Sequence, residues 1–158
     1  MIRQLTTDIV SMKIKIAWIG KTKELAIQAL TDDYLKRLSH YAEVEAGPVK
    51  DESAILRLCA KEARPTKHTL VLLDGRGKQL SSQELAKFLQ EHQERNPLPL
   101  LFAVGPADGF TVEARQSASL VLSLSKMTLA HELARIVLLE QLYRAFTILK
   151  GHPYHLGH

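Results

Sequence analysis

Short runs of continuously apolar residues alternate along this chain with segments of helical periodicity, and this alternation constrains the fold more than any other feature. Residues 69–73 (TLVLL) are branched and apolar throughout, as in a strand that is buried on both faces. Further buried strands are predicted over 98–104 and 119–124, and a strand that begins with polar/apolar alternation over 13–19. Because the strands alternate with helices, the sequence predicts a three-layer α/β fold with a mostly parallel sheet.

Four segments carry apolar residues at the spacing of amphipathic helices. They are 24–41, 51–63, 82–94 and 131–150. Pro48 marks a loop between the first two helices. Ser81 or Ser82, with Glu84 nearby, provides an N-terminal cap for the third helix.

Size and composition exclude several classes of protein. The chain has 158 residues, of which 46% are hydrophobic and 24% charged, as in an ordinary globular domain. No stretch approaches the ~20 apolar residues of a membrane-spanning helix. The single cysteine, Cys59, excludes an intrachain disulfide and favours a cytoplasmic location. The net charge of +4 permits a polyanionic partner without demonstrating one.

The first eleven residues (MIRQLTTDIVS) precede a second methionine, Met12, and the first predicted strand. They contain one basic residue and no apolar core of seven or more residues, so they do not form a secretory signal. We expect residues 1–11 to lie outside the fold and residues 12–158 to form a single domain. A short ordered extension is the alternative.

The last predicted helix, 131–150, is apolar on nearly every side. Its apolar residues are Leu133, Ile136, Val137, Leu138, Leu139, Leu142, Tyr143, Ala145, Phe146, Ile148 and Leu149. Such a helix has to be covered on several sides, and the simplest cover for a small domain is a second copy. We expect a homodimer through this helix, with Leu142 and Phe146 in the interface. Burial within one chain is the alternative.

Three loops follow the carboxyl ends of the buried strands. They are 73–78 (LDGRGK), 104–109 (VGPADG) and 124–129 (LSKMTL). In open α/β sheets ligands bind beyond these strand ends, and loop amides and carbonyls can contact an adenine edge. Each loop alone is more often a simple turn, and the phosphate-binding signatures GxxxxGK[ST] and GxGxxG are absent.

Polar residues on the last helix are costly unless they are paired or functional. His131 and Arg135 are four residues apart, and therefore share one face near the helix start. Glu140 and Arg144 form a second such pair, which by itself usually means a surface ion pair. Together with Tyr154 in the tail, these side chains suit a flat, anionic, hydrogen-bonding substrate such as a nucleotide.

The tail also contains three histidines, His152, His155 and His158. They lack cysteine or carboxylate partners nearby, and a proline lies between them, so we predict no metal site.

Four stretches of the chain resemble the bacterial RlmH family of the SPOUT class. They are LLDGRGKQLSSQELA, LFAVGPADGF, LSLSKMTLAHELARIVLLEQLYRAFTI and HPYH, and the similarity runs from Met12 to about His155. The family uses S-adenosylmethionine (AdoMet) to methylate N3 of a pseudouridine in helix 69 of 23S ribosomal RNA. The resemblance implies a trefoil knot in the C-terminal half, formed by the three loops above, and the assembled ribosome as the substrate.

The resemblance also assigns AdoMet contacts. They fall on Leu73, Gly105, Leu124, Ser125, Lys126, Met127, Thr128 and Leu129. The chain departs from the family at Pro106, where glycine is usual, and at Ala130, where proline is common. Pro106 removes one backbone donor from the glycine loop.

Methyl transfer to an imide nitrogen needs alignment and a nearby cation, but no metal. The candidates for holding the target base are Arg144, Tyr154 and His155. His131 and Arg135 would shape the pocket or contact RNA phosphate. In a dimer, the tail of one subunit could complete the other subunit's site. The residues do not identify the proton acceptor.

Two other classes of protein are possible. A non-catalytic RNA- or ribosome-binding module of the same fold would explain the departures at Pro106 and Ala130. A small nucleotide-binding protein of the Rossmann type lacks its fingerprint. AdoMet binding separates the enzyme from both.

Overall fold

Five β-strands and five α-helices alternate along the part of the chain that the computed structural model describes, residues 11–96 and 98–156. In order they are β1 (Lys13–Ile19), α1 (Leu25–Leu38), β2 (Glu43–Val49), α2 (Glu52–Leu58), β3 (Thr69–Gln79), α3 (Ser82–Arg95), β4 (Leu100–Val104), α4 (Val112–Ser117), β5 (Leu120–Ser123) and α5 (His131–Leu149). A 3₁₀ helix, Pro153–Leu156, follows. The prediction that residues 1–11 lie outside the fold concerns a segment that, apart from Ser11, is outside the described residues.

The strands form one sheet in the order β2-β1-β4-β3-β5, and every pair of neighbours is parallel. This confirms the predicted α/β class. Because all strands run the same way, their carboxyl ends lie at one edge, called here the carboxyl edge.

The helices cover both faces of the sheet, as a three-layer fold requires. In β4, Leu100, Phe102 and Val104 face the core beneath α1, α3 and α5, whereas Leu101 and Ala103 face the core beneath α2 and α4. Both faces of the strand are therefore dry, which explains why its sequence is continuously apolar.

Helix α5 lies between α1 and α3 and packs against both. Leu142 is fully buried and Phe146 is 4% exposed within a single chain. The expectation that these two residues lie in a dimer interface is therefore wrong, because the core of the same chain buries them. The apolar surface left uncovered on α5 includes Leu133, which is 53% exposed, and the half-buried Val137.

Three local predictions also need correction. Residues 73–78, predicted as a loop, lie within β3, and the register of β3 against β5 shifts between Leu73 and Lys78, so these residues form a bulged segment of the strand. Pro48, predicted in a loop, lies in β2, where an edge position tolerates the missing N–H. Helix α2 ends at Leu58 instead of residue 63: the next two amides bond carbonyls three residues back, and Pro65 follows. The predicted cap of α3 is confirmed, since Ser81 and Glu84 form a reciprocal capping box. Among the described residues, no helix is long and apolar enough to cross a membrane.

Candidate active site

A cleft of about 250 Å³ opens at the carboxyl edge, where the bulged segment of β3 and the loops after β4 and β5 meet the start of α5. All eight positions predicted to contact AdoMet line it: Leu73, Gly105, Leu124, Ser125, Lys126, Met127, Thr128 and Leu129. The topology explains this convergence, because parallel neighbouring strands deliver their following loops to the same edge. The structure thus brings the predicted cofactor residues together around one cavity.

The loop after β5 is shaped by two serines. The Ser123 hydroxyl donates to the Ser125 carbonyl over 2.9 Å, and the Ser125 hydroxyl accepts from the Met127 amide over 2.9 Å. These local bonds turn the backbone back toward the cleft. They leave the Met127 side chain 77% exposed at the rim, where an entering ligand can cover it.

His131 lines the cleft at the first residue of α5, and the next residue anchors that helix end. The Glu132 carboxylate accepts hydrogen bonds from the backbone amides of Lys23 (3.1 Å) and Glu24 (3.4 Å), in the loop after β1. The Lys23 amide is the largest cause of a lowered pKa at Glu132, since it stabilises the charged form. The loop after β1, which also lies at the carboxyl edge, is thereby fixed to α5, the helix that borders the cleft.

Arg135 lies one turn further along α5 and is completely buried. Its guanidinium carbon sits 3.7 Å from the centroid of the Trp18 ring, and Nη1 donates to the Thr22 hydroxyl over 2.8 Å. Nε and Nη2 have no hydrogen-bond partner among the described residues, and burial lowers the pKa of the side chain. A direct contact between Arg135 and RNA phosphate is therefore contradicted within one chain. Its other predicted role, shaping the pocket, fits this position.

At the far end of α5, Glu140, Arg144 and Tyr154 form a group that we call the terminal cluster. Arg144 Nη2 lies 2.6 Å from Glu140 Oε2, which also accepts the Tyr154 hydroxyl over 2.9 Å. The Arg144 guanidinium lies 5.0 Å from the centroid of the Tyr154 ring. Burial, together with the bond to Glu140, raises the pKa of Tyr154 far above its usual range, so its hydroxyl stays protonated.

Two of the three predicted catalytic residues are thus neighbours. The side chain of the third, His155, lies outside the described residues. Thirteen residues separate His131 from Arg144, so the terminal cluster lies about 20 Å along the helix from the cleft. Arg144 and Tyr154 are not among the residues that line the cleft of their own chain.

No group of three His, Cys, Asp or Glu side chains within the described residues is arranged to hold a metal ion. The predicted absence of a metal site concerns histidines that partly lie outside them. Cys59 is half-buried, and burial raises the pKa of its thiol to about 11, which makes it a poor nucleophile.

Sequence reasoning missed two buried carboxylates, Glu132 and Asp74. The signal was present in both cases. Asp74 directly follows the apolar run of β3, and Glu132 stands on an apolar helix beside a predicted site residue. A carboxylate in such a setting has to be hydrogen-bonded, and each of these holds a loop of the carboxyl edge.

The fold and the cleft correspond to one class of enzyme. A family model described as "Predicted SPOUT methyltransferase" matches residues 12–155, and the chain belongs to this family of methyltransferases. The ribosomal RNA large subunit methyltransferase H of Koribacter versatilis is 56% identical over 147 residues, covering 93% of this chain and all of that protein. The protein of the same name from Geotalea daltonii is 40% identical, covering 91% of this chain and 99% of its own. The resemblance to the RlmH family is confirmed.

Solved structures share the fold at low sequence identity. A probable methylase family protein from Haemophilus influenzae superposes with a TM-score of 0.60 at 11% identity, over 90% of this chain and 70% of its own. A probable methyltransferase from Bordetella pertussis gives a TM-score of 0.54, also at 11% identity, over 85% of this chain and 95% of its own. These similarities support the α/β architecture, and the trefoil knot stays a prediction of the family resemblance.

Proposed function

We propose that this chain transfers a methyl group from AdoMet to N3 of a pseudouridine in helix 69 of 23S ribosomal RNA, on assembled ribosomes in the bacterial cytoplasm. The observation that carries the proposal is the cleft, because its lining contains every position at which the family resemblance expects AdoMet. The substrate class comes from the names of the relatives, which are ribosomal RNA large subunit methyltransferases.

The residues around the cleft fit an adenosine-containing ligand. The volume of the cleft, about 250 Å³, is near the lower end of the range for small-molecule sites. Leu73, Leu122 and Leu124 offer apolar contacts for a purine ring, while the loops supply backbone groups for its edge. When bound, AdoMet supplies a methyl group on a positively charged sulfur.

In the net reaction a bond would form between N3 and the methyl carbon, the sulfur–carbon bond would break, and the N3 proton would be released to water. S-adenosylhomocysteine is the second product. The guanidinium of Arg144 carries a fixed, planar charge, which can orient a uracil-like ring and stabilise its developing anion. Tyr154 remains a phenol because its pKa is raised, so it serves as a hydrogen-bond donor and not as the base. His155 is proposed as a further contact to the base.

A homodimer would join the cleft to the terminal cluster. The two lie about 20 Å apart along α5 of one chain, so a target base in the cleft cannot reach Arg144 of that chain. A second copy docked along the open side of α5, which exposes Leu133, can place its own terminal cluster at the cleft. The tail of each subunit would then complete the site of the other.

Two measurements test the proposal. Calorimetry should show that the chain binds AdoMet, and mass analysis of ribosomal RNA nucleosides should show that a strain lacking the gene loses one methylated pseudouridine. The wild-type gene should restore that nucleoside, and a gene carrying Arg144→Ala should not. Absence of AdoMet binding would refute the enzyme and favour the non-catalytic module.

A further inference from the structure

A buried carboxylate, Asp74, connects the bulged segment of β3, residues 73–78, to the loop after β4. Its side chain is 2% exposed, and both of its oxygens are occupied. Oδ1 accepts from the backbone amide and Nε of Arg76, at 2.9 and 3.0 Å. Oδ2 accepts from Arg76 Nη2 at 2.9 Å and from the backbone amide of Phe110 at 3.1 Å. One side chain thus joins segments 36 residues apart in sequence.

The loop after β4, called here the second loop, is held in place at Phe110. The Phe110 carbonyl accepts from Arg76 Nη2 at 3.0 Å and from Arg115 Nη1 at 2.6 Å, so the peptide groups on both sides of the residue are fixed. The ring is 3% exposed and lies against Gly105, where a built Cβ would come within 2.7 Å of it. Gly105 itself lines the cleft.

Gly109 lets the second loop approach the Asp74–Arg76 pair closely. Its φ of +83° is a backbone conformation that residues with a side chain rarely adopt. A Cβ on Gly109 would also lie 2.7 Å from Arg76 Nη2 and 2.9 Å from Asp74 Oδ2. The backbone of the second loop therefore lies directly against the Asp74–Arg76 pair. A residue larger than glycine at position 109 would push the second loop away from the bulged segment of β3.

We propose that Asp74 is a positioning residue for the cofactor: through Arg76 and Phe110 it fixes the bulged segment of β3 and the loop after β4 in the arrangement that binds AdoMet, before AdoMet arrives. The inference rests on the proposed function, because it takes AdoMet as the ligand of the cleft. A ligand that binds to loops already in place does not have to order them, and this raises its affinity.

The negative charge of Asp74 is necessary to this role. The Arg76 guanidinium that bonds it holds the pKa of the carboxyl far below its usual range, so the group is ionised at any working pH. Asparagine has nearly the same size, but its amide nitrogen would meet donors from Arg76 or Phe110. Asp74→Asn therefore breaks the connection while filling the same space.

The test compares three variants by calorimetry with AdoMet. Asp74→Asn and Arg76→Gln both cut the connection between the bulged segment of β3 and the loop after β4. Arg115→Gln is the matched control, because it removes a hydrogen bond to the same Phe110 carbonyl without changing the bulged segment of β3. We expect affinity for AdoMet to fall about tenfold in Asp74→Asn, severalfold in Arg76→Gln and less than about twofold in the control.

Steady-state kinetics on ribosomes should show the same division. In Asp74→Asn, KM for AdoMet should rise by a similar factor, while KM for ribosomes and kcat at saturating AdoMet stay within about threefold of wild type. A general loss of folded enzyme would lower kcat instead. Equal affinities for AdoMet in Asp74→Asn and wild type would overturn the inference, as would an equal loss in Arg115→Gln.

Amide hydrogen exchange on the ligand-free protein keeps this test separate from the proposed function. The Gly109 amide bonds the Pro106 carbonyl inside the second loop, so its protection reports on the order of that loop. Its exchange should accelerate in Asp74→Asn and stay unchanged in Arg115→Gln. If the wild type fails to bind AdoMet, the proposed function fails, and the exchange rates still decide whether Asp74 orders the loop. Unchanged exchange at Gly109 in Asp74→Asn would refute it.

Discussion

Replacing Arg144 with alanine should abolish methyl transfer at a modest cost in stability. The Arg144–Glu140 pair spans 2.6 Å, with side chains that are 22% and 20% exposed, so it lies between a surface pair and a buried one. Fully exposed pairs at this spacing contribute about 0.3–0.5 kcal/mol, and the contact with the Tyr154 ring adds about 0.5–1 kcal/mol. A total of about 0.8–1.5 kcal/mol corresponds to a fall in Tm of about 2–6 °C for a chain of this size.

The expected effect on activity is much larger. Removal of one group that stabilises transition-state charge typically lowers kcat by about 10²–10³, or about 2.7–4 kcal/mol. The assay is incorporation of tritiated methyl groups into ribosomes from a strain that lacks the gene, with AdoMet affinity measured in parallel. AdoMet affinity should remain near wild type, because the cleft of the same chain does not contain Arg144.

Glu140→Gln is the matched control. It removes the ion pair and weakens the acceptor for the Tyr154 hydroxyl, yet it leaves the guanidinium in place. If Arg144 only stabilises the helix end, both variants should lose activity equally. If Arg144 acts on the substrate, Glu140→Gln should retain substantial activity at a similar Tm. Near-normal turnover in Arg144→Ala, or a parallel loss of AdoMet binding, would refute the assigned role.

Three further outcomes are expected. Light scattering should show a dimer for the wild type and a folded monomer for Leu133→Asp, whereas Leu142→Asp should unfold because it buries a charge in the core of one chain; a wild-type monomer at micromolar concentration would exclude the dimer. Deletion of residues 1–11 should leave Tm and AdoMet affinity unchanged, and a fall of several degrees would place the segment in the core. Cys59, whose thiol pKa is raised to about 11, should react with iodoacetamide at pH 8 about 100-fold more slowly than a free thiol of pKa near 9, since the thiolate fraction falls tenfold per unit; a rate near that of a free thiol would contradict this.

The fold could be predicted where burial leaves a direct mark on the sequence. The first half of β3 and all of β4 are buried, so their apolar runs indicate buried strands directly. The edge strand β2 was missed because it is half-exposed and contains Pro48, and neither property distinguishes an edge strand from a loop. Helix α4 was missed because six residues are too few to show a helical period.

The segments that line the cleft could be located from sequence because parallel strands send the residues that follow them to one edge of the sheet. The elements that pack against α5 could not be predicted from sequence. An apolar helix surface indicates that it is buried, but it does not identify the element that buries it. Here the core of the same chain buries Leu142 and Phe146, whereas Leu133 stays exposed and available to a partner. The helical period predicts which residues of a helix are buried, whereas the elements that pack against them depend on how the whole chain folds.

The polar residues of α5 illustrate the same distinction. His131 and Arg135, like Glu140 and Arg144, are four residues apart on an apolar helix, and their spacing does not distinguish the two pairs. Glu132 and Arg135 bind the chain between β1 and α1, where burial removes them from any substrate. Glu140 and Arg144 bind each other at the partly exposed end of the helix, beside a tyrosine from the tail. Arg135 is completely buried, so it can be reached only by opening the core, whereas the Arg144 side chain is 22% exposed. Burial is therefore the property that separates Arg135 from Arg144, and Arg144 stays our proposed contact to the RNA base.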